Sequence, residues 1–152
     1  MRILALDCAL KTGWASFCNG IIESGIQDFN LKRGESKGMV FLRFRNWLNG
    51  MIGLINPNLI IYEQAHHRGG WATQISVGLI TRIMELCDEK GIEYSSIHSM
   101  SLKKFATGTG KASKEDMLRA AIQKFGRIVD SYDEADALLL LAYAMKELGE
   151  TK

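Results

Sequence analysis

The chain of 152 residues holds one proline, Pro57, and only three cysteines, Cys8, Cys18 and Cys87. The scarcity of proline, with fifteen scattered glycines, leaves no linker at which to divide the chain, so residues 1–152 are expected to form a single domain. An odd set of widely spaced cysteines without a C-x-x-C pair excludes a disulfide framework and a zinc ribbon, and points to a reducing, cytoplasmic setting. Apolar runs of membrane-spanning length are also missing: the N-terminal stretch Ile3–Cys8 is six residues, interrupted by Asp7, too short for a signal peptide or a membrane span, and Leu138–Met145, apolar on nearly every face, reads as the buried middle of the last helix. No excess of one charge is evident either, since 19 Lys and Arg against 17 Asp and Glu give +2. As an average, that balance does not mark a nucleic-acid binder. With 47% hydrophobic residues the chain is an ordinary globular sequence without repeats.

Periodicity orders the elements. Ile3–Cys8, Trp14–Cys18 and Ile21–Phe29 are β-prone, and Asn19-Gly20 between the latter two is a strong hairpin signal, so three antiparallel strands are predicted. Helical spacing of Val40, Phe44, Trp47, Leu48, Met51 and Ile55 predicts a helix over 36–55, stopped by Asn56-Pro57. Leu59–Glu63 is a fourth strand, His66–Trp71 a polar loop, 73–90 a second helix ending at Gly91, and 92–98 a fifth strand. Ser113-x-x-Asp116 and Ser131-x-x-Glu134 resemble capping boxes opening two final helices. The resulting order, β-β-β-α-β-α-β-α-α, implies an α/β fold with a five-stranded mixed sheet flanked by helices.

Four acids stand where burial penalises charge. Asp7 lies in an apolar strand on the face of Ile3 and Ala5, and Glu63 ends a second apolar strand. Asp136 has Leu139, Leu140 and Tyr143 at helical spacing and therefore faces the core, with Asp133 one turn earlier on the same side. Taken singly, Asp133 can serve the helix dipole and Glu63 can be a surface residue. Taken together, if the two strands are neighbours and the last helix crosses them, the four converge, and their repulsion calls for divalent metal. Hard oxygen ligands favour Mg²⁺ or Mn²⁺, and two such ions suit phosphodiester hydrolysis. Seven Lys and Arg against two acids between Ser101 and Arg127 give that segment a local charge of +5.

Leu4-Ala-Leu-Asp7 with Thr12-Gly13, Ile61-Tyr62-Glu63-Gln64, Gly108-Thr-Gly110-Lys-Ala-Ser-Lys114 and Asp133-Glu-Ala-Asp136-Ala137 together resemble, in order and spacing, the motifs of RuvC-type Holliday junction resolvases. The resemblance spans nearly the whole chain. It implies an RNase H-like fold, a homodimer, and Mg²⁺-dependent symmetric nicking of four-way DNA junctions, with two ions per site. By motif position Asp7, Glu63, Asp133 and Asp136 would be the metal-binding acids, and Lys103 and Lys114 the lysines beside the scissile phosphate. An ammonium there would stabilise developing negative charge, and the backbone of Gly108–Gly110 could approach a phosphate; a solvated basic helix start is the bland alternative.

Lys104, Lys111 and Arg68 are further DNA-binding candidates. Where bacterial members often carry an aromatic residue three positions after the glutamate, this chain has His66, and Trp71 is a second stacking candidate, beside the plain alternative of a surface loop. Adjacent His66 and His67 are poor joint metal ligands because neighbouring side chains diverge. The apolar set of 73–87 (with Val77, Ile80 and Met84) is wider than one stripe, which fits either a broad core face or a second subunit. Competing readings are an RNase H-like nuclease for RNA, hybrid or other branched DNA, a non-cleaving junction-binding module, and an actin-like ATPase, which needs a second such domain. With the four acids neutralised by metal the charge would be +6 per chain, enough for salt-dependent DNA binding by a dimer.

Overall fold

The computed structural model describes residues 1–149. The strands are β1 (Ile3–Asp7), β2 (Lys11–Cys18), β3 (Ile21–Asp28), β4 (Leu59–Glu63) and β5 (Glu93–Ile97), and the helices α1 (Gly38–Ile55), α2 (Gly70–Lys90), α3 (Ser99–Thr107), α4 (Lys114–Phe125) and α5 (Tyr132–Glu147). They build one mixed sheet ordered β3-β2-β1-β4-β5. β1, β2 and β3 pair antiparallel, while β4 pairs parallel with β1 and with β5. The β2–β3 turn uses Asn19 and Gly20, both at positive φ, as a tight hairpin with the twist of its strands requires.

Strand alternation separates two cores. Ile3, Ala5, Ala15 and Ile61 pack under α5 with α3 and α4 alongside. Leu4, Leu6, Ile60 and Tyr62 face α1 and α2. The all-round apolar middle of α5 is explained by this placement, because its inner face meets the sheet and its outer side is covered by α3 and α4.

Three sequence expectations need correction. A helix, α3, stands between β5 and α4, so the order is β-β-β-α-β-α-β-α-α-α. It escapes periodicity because only Leu102 of its apolar residues is fully buried; His98 caps it, Nδ1 accepting from the Met100 N–H at 3.1 Å. Helix α2 begins at Gly70, so Trp71 belongs to its first turn rather than to the loop. Ser131 does cap α5, accepting from the amides of Asp133 and Glu134, but the Glu134 carboxylate accepts from Ser24 Oγ at 3.1 Å, so the reciprocal half of that box is replaced by a tertiary contact. At Ser113 both halves of the box form. Among the described residues no helix is long and apolar enough to cross a membrane.

Candidate functional site

Leu6 lies opposite Tyr62 in the parallel β1–β4 ladder, which brings the next residues, Asp7 and Glu63, to the same end of adjacent strands. Helix α5 crosses above them and delivers Asp133 and Asp136 from its first turns. That approach depends on Gly13, the β2 partner of Asp7. A Cβ at Gly13 would lie 1.9 Å from the Asp133 carbonyl oxygen, a backbone atom that cannot step aside without moving the helix. The glycine admits α5 to the sheet.

Carboxylate oxygens of Asp7, Glu63 and Asp136 all lie within 4.8 Å of one another. Asp133 is hydrogen-bonded to Asp7 and completes the group. All four are partly buried, and all four acidities are weakened. Burial, then the charges of Asp136, Glu63 and Asp133, push the Asp7 carboxyl well above its usual range. Burial with the charges of Glu63 and Asp133 pushes Asp136 up to about 7, against the opposing pull of Lys103 and Lys114. Burial raises Glu63 despite its hydrogen bond to His66 and the nearby Lys103 and His98. Asp133 is raised by burial and held back by its bond to Asp7 and by Lys114 and Lys11. Four carboxylates that resist joint ionisation, all hard oxygen donors, suit a divalent ion such as Mg²⁺ or Mn²⁺, whose charge would reverse that resistance.

The acids floor a cleft of about 700 Å³. Lys103 from α3 and Lys114 from the start of α4 line it, and so do His66, Arg68 and Trp71. His66 Nε2 lies 3.2 Å from Glu63 Oε1. Trp71 packs edge-on against Phe41 of α1 at 6.3 Å, with Lys37 Nζ 4.7 Å from its ring centroid, so part of the indole is engaged within the protein. Lys104 and Lys111 are exposed but lie outside the cleft lining. Two of the three amides of the glycine loop are engaged within the protein. Gly108 is the left-handed cap of α3, its N–H bonded to Lys104 O, and the Thr109 N–H is taken by Thr107 Oγ1, so neither amide is free for a phosphate.

Among the lining residues that sequence reasoning did not single out, one is charged. Lys11 opens β2 at the cleft mouth and acts electrostatically on Asp133. Its only signal was position, four residues after Asp7 across a tight connection, and that becomes meaningful once α5 is in place.

No family model matches this chain, and no curated protein matches it at a significant level. Solved structures do. RuvC of Thermus thermophilus in complex with Holliday junction substrate superposes with a TM-score of 0.80 at 16% identity, covering 99% of this chain and 97% of that one. The fold is that of the RuvC-type resolvases. A second RuvC structure from Thermus thermophilus gives 0.75 at 17% identity, covering 98% and 97%. The yeast mitochondrial Holliday junction resolvase Ydc2 gives 0.67 at 15% identity, covering 97% of this chain and 79% of its own. The expected RuvC-type architecture, a five-stranded mixed sheet with its first three strands antiparallel, is therefore observed in full.

Proposed function

We propose that this chain is a metal-dependent endodeoxyribonuclease that resolves four-way DNA junctions by symmetric paired nicks. The observation that carries this reading is the acidic cluster: Asp7, Glu63 and Asp136 within 4.8 Å, joined by Asp133, beneath a lysine-rimmed cleft. Support for the substrate comes from the RuvC-type fold, one example of which is described as bound to Holliday junction substrate. Asp7, Glu63, Asp133 and Asp136 would hold two Mg²⁺ ions, with Mn²⁺ able to substitute. Bound there, the ions would activate a water for attack and stabilise the leaving oxygen in an in-line displacement.

The chain's own residues have separable roles in this reading. Lys103 from α3 and Lys114 from α4 neutralise charge building on the scissile phosphate. Arg68 and His66 meet the strand at the α2 side, Trp71 offers an aromatic edge, and Lys104 and Lys111 extend the basic rim beyond the lining. A homodimer would place two such clefts on matching strands of a two-fold junction. The stripe Val77, Ile80 and Met84 on α2, with Val77 and Met84 exposed while Ile75, Leu79 and Ile83 are buried, supports a second copy against that helix.

The test is a panel of end-labelled four-way, three-way, flap, linear duplex and RNA–DNA hybrid substrates in Mg²⁺ and in Mn²⁺. Symmetric nicks on the four-way junction, leaving ligatable ends, are expected. Cleavage of junctions no faster than linear duplex, or faster cleavage of hybrid, overturns the junction assignment. Asp7→Asn should abolish nicking and retain junction binding; wild-type protein that binds junctions but is inert with both ions would instead be a recognition module.

A further inference from the structure

Outside the cleft, two lysines from different helices meet at one aromatic ring. Phe105 lies in the second half of α3 and is contacted edge-on by Tyr143 of α5, centroids 5.4 Å apart. Lys124 Nζ is 5.7 Å and Lys146 Nζ 5.6 Å from the Phe105 centroid. Lys124 belongs to the last turn of α4 and Lys146 to that of α5, and both are exposed. Neither is in an ion pair with a carboxylate among the described residues. A helix dipole accounts for one lysine at each helix end. It does not account for two like charges brought from separate helices to one ring, an arrangement that suits successive phosphates of one backbone.

The surroundings strengthen that reading. The only acids between Ser101 and Arg127 are engaged locally: Asp116 closes the Ser113 cap and pairs with Arg119, and Glu115 accepts from Tyr132 Oη at 3.2 Å. Neither of these acids therefore pairs with Lys124, and Lys146, which lies beyond this segment beside Glu147, makes no ion pair among the described residues. Helices α4 and α5 both start at the cleft, with Lys114 and Asp136, and both end at Phe105, with Lys124 and Lys146. Each pair is ten residues apart, about 15 Å along a helix. At 3.4 Å per base pair that is roughly four to five base pairs of duplex.

We propose that Lys124 and Lys146, braced on Phe105, form a second phosphate-contact site that grips the backbone of a duplex arm about 15 Å from the carboxylates. The site rests on the nuclease reading but adds a surface to it: it anchors the arm and takes no part in the chemistry. Its contacts would be to phosphate and therefore blind to sequence.

The experiment compares the wild-type protein with K124Q/K146Q and K124R/K146R, measuring junction affinity in EDTA from about 50 to 200 mM KCl and nicking in Mg²⁺. Each phosphate contact contributes about 0.9 to the salt slope, so K124Q/K146Q should lower that slope by about two per protomer and weaken binding roughly tenfold. At saturating junction kcat should stay within twofold of wild type, while K124R/K146R keeps the wild-type slope. An unchanged slope and affinity in K124Q/K146Q overturn this site while leaving the nuclease reading standing. A lowered kcat with an unchanged slope also overturns it, assigning the lysines to helix packing. Wild-type protein that binds no junction at all fails the nuclease reading itself, and this site with it.

Discussion

The two faces of the sheet are filled with different kinds of side chain. Against α1 and α2 the aliphatic core encloses an aromatic cluster: Phe29, Phe44 and Trp47 have centroids 5.4 to 5.8 Å apart, and Phe41 meets Trp71 nearby. Against α5 the fully buried side chains are small and aliphatic, with Ala5 and Ala15 on the strands and Ala135, Leu138 and Leu139 on the helix, while aromatics such as Phe105 and Tyr143 stand only at its partly buried edge. Rings bury large areas and hold helices away from the sheet; alanines and Gly13 let a helix backbone come down to it. The carboxylates lie on the close-packed side, because only there can a helix place side chains as short as aspartate within reach of the strand ends. One face supplies cohesion and the other carries the electrostatic cost of the site.

Substitutions on each face can break that comparison or sharpen it. Phe44→Ala, in the middle of the aromatic face, should cost the most stability, about 3–5 kcal/mol in denaturant melts, while leaving the Mn²⁺ affinity of the folded fraction unchanged. Loss of metal affinity there would mean that the faces are not separable. Asp136→Asn should act in the opposite direction. The folded protein keeps a proton on Asp136 up to about pH 7, whereas the unfolded chain releases it near 3.8. Metal-free stability from this group is therefore full below about pH 3.8, falls progressively as pH rises toward 7 and is gone once pH has passed through it. The asparagine variant should be more stable than wild type at pH 8 in EDTA by about 2–4 kcal/mol, with a flatter melting-temperature profile between pH 4 and 8. Adding Mg²⁺ should stabilise wild type and reverse the order.

Two glycines give a matched pair across the sheet. Gly13→Ala forces a methyl into the Asp133 carbonyl and should cost about 1–3 kcal/mol. Because it displaces the first turn of α5, nicking should fall by about a hundredfold. Gly78→Ala, between α1 and α2, meets the Phe41 ring at 2.1 Å, a side chain that can rotate away. Its cost should be about 1 kcal/mol or less, with nicking within a fewfold of wild type. Of similar size is the effect of Ser131→Ala, which removes the α5 cap at about 1 kcal/mol. If the cap also orients Asp133, Mn²⁺ affinity will fall beyond what the melting temperature explains.

Strands β1 to β5, helices α1, α4 and α5, and the inward faces of Asp7 and Asp136 were legible in the chain, because alternation, helical spacing, Asn19-Gly20 and the Ser113 and Ser131 caps are local codes. The start of α2 was less so, since Gly69 and Gly70 disguise a helix that opens without a side-chain cap. Helix α3 was not, having one fully buried apolar side chain and a histidine cap.

By itself, then, the sequence determined which segments are strand or helix and which acids turn inward, since these depend on neighbours a few positions away. Only the tertiary structure decided that Asp7, Glu63 and Asp136 share one 4.8 Å sphere, that Lys11 overlooks it, that the Gly108 and Thr109 amides are already spent, and that Glu134 bonds Ser24 across 110 residues. Coulomb energy and steric fit depend on distance in space, and that distance exists only once α5 has settled against Gly13.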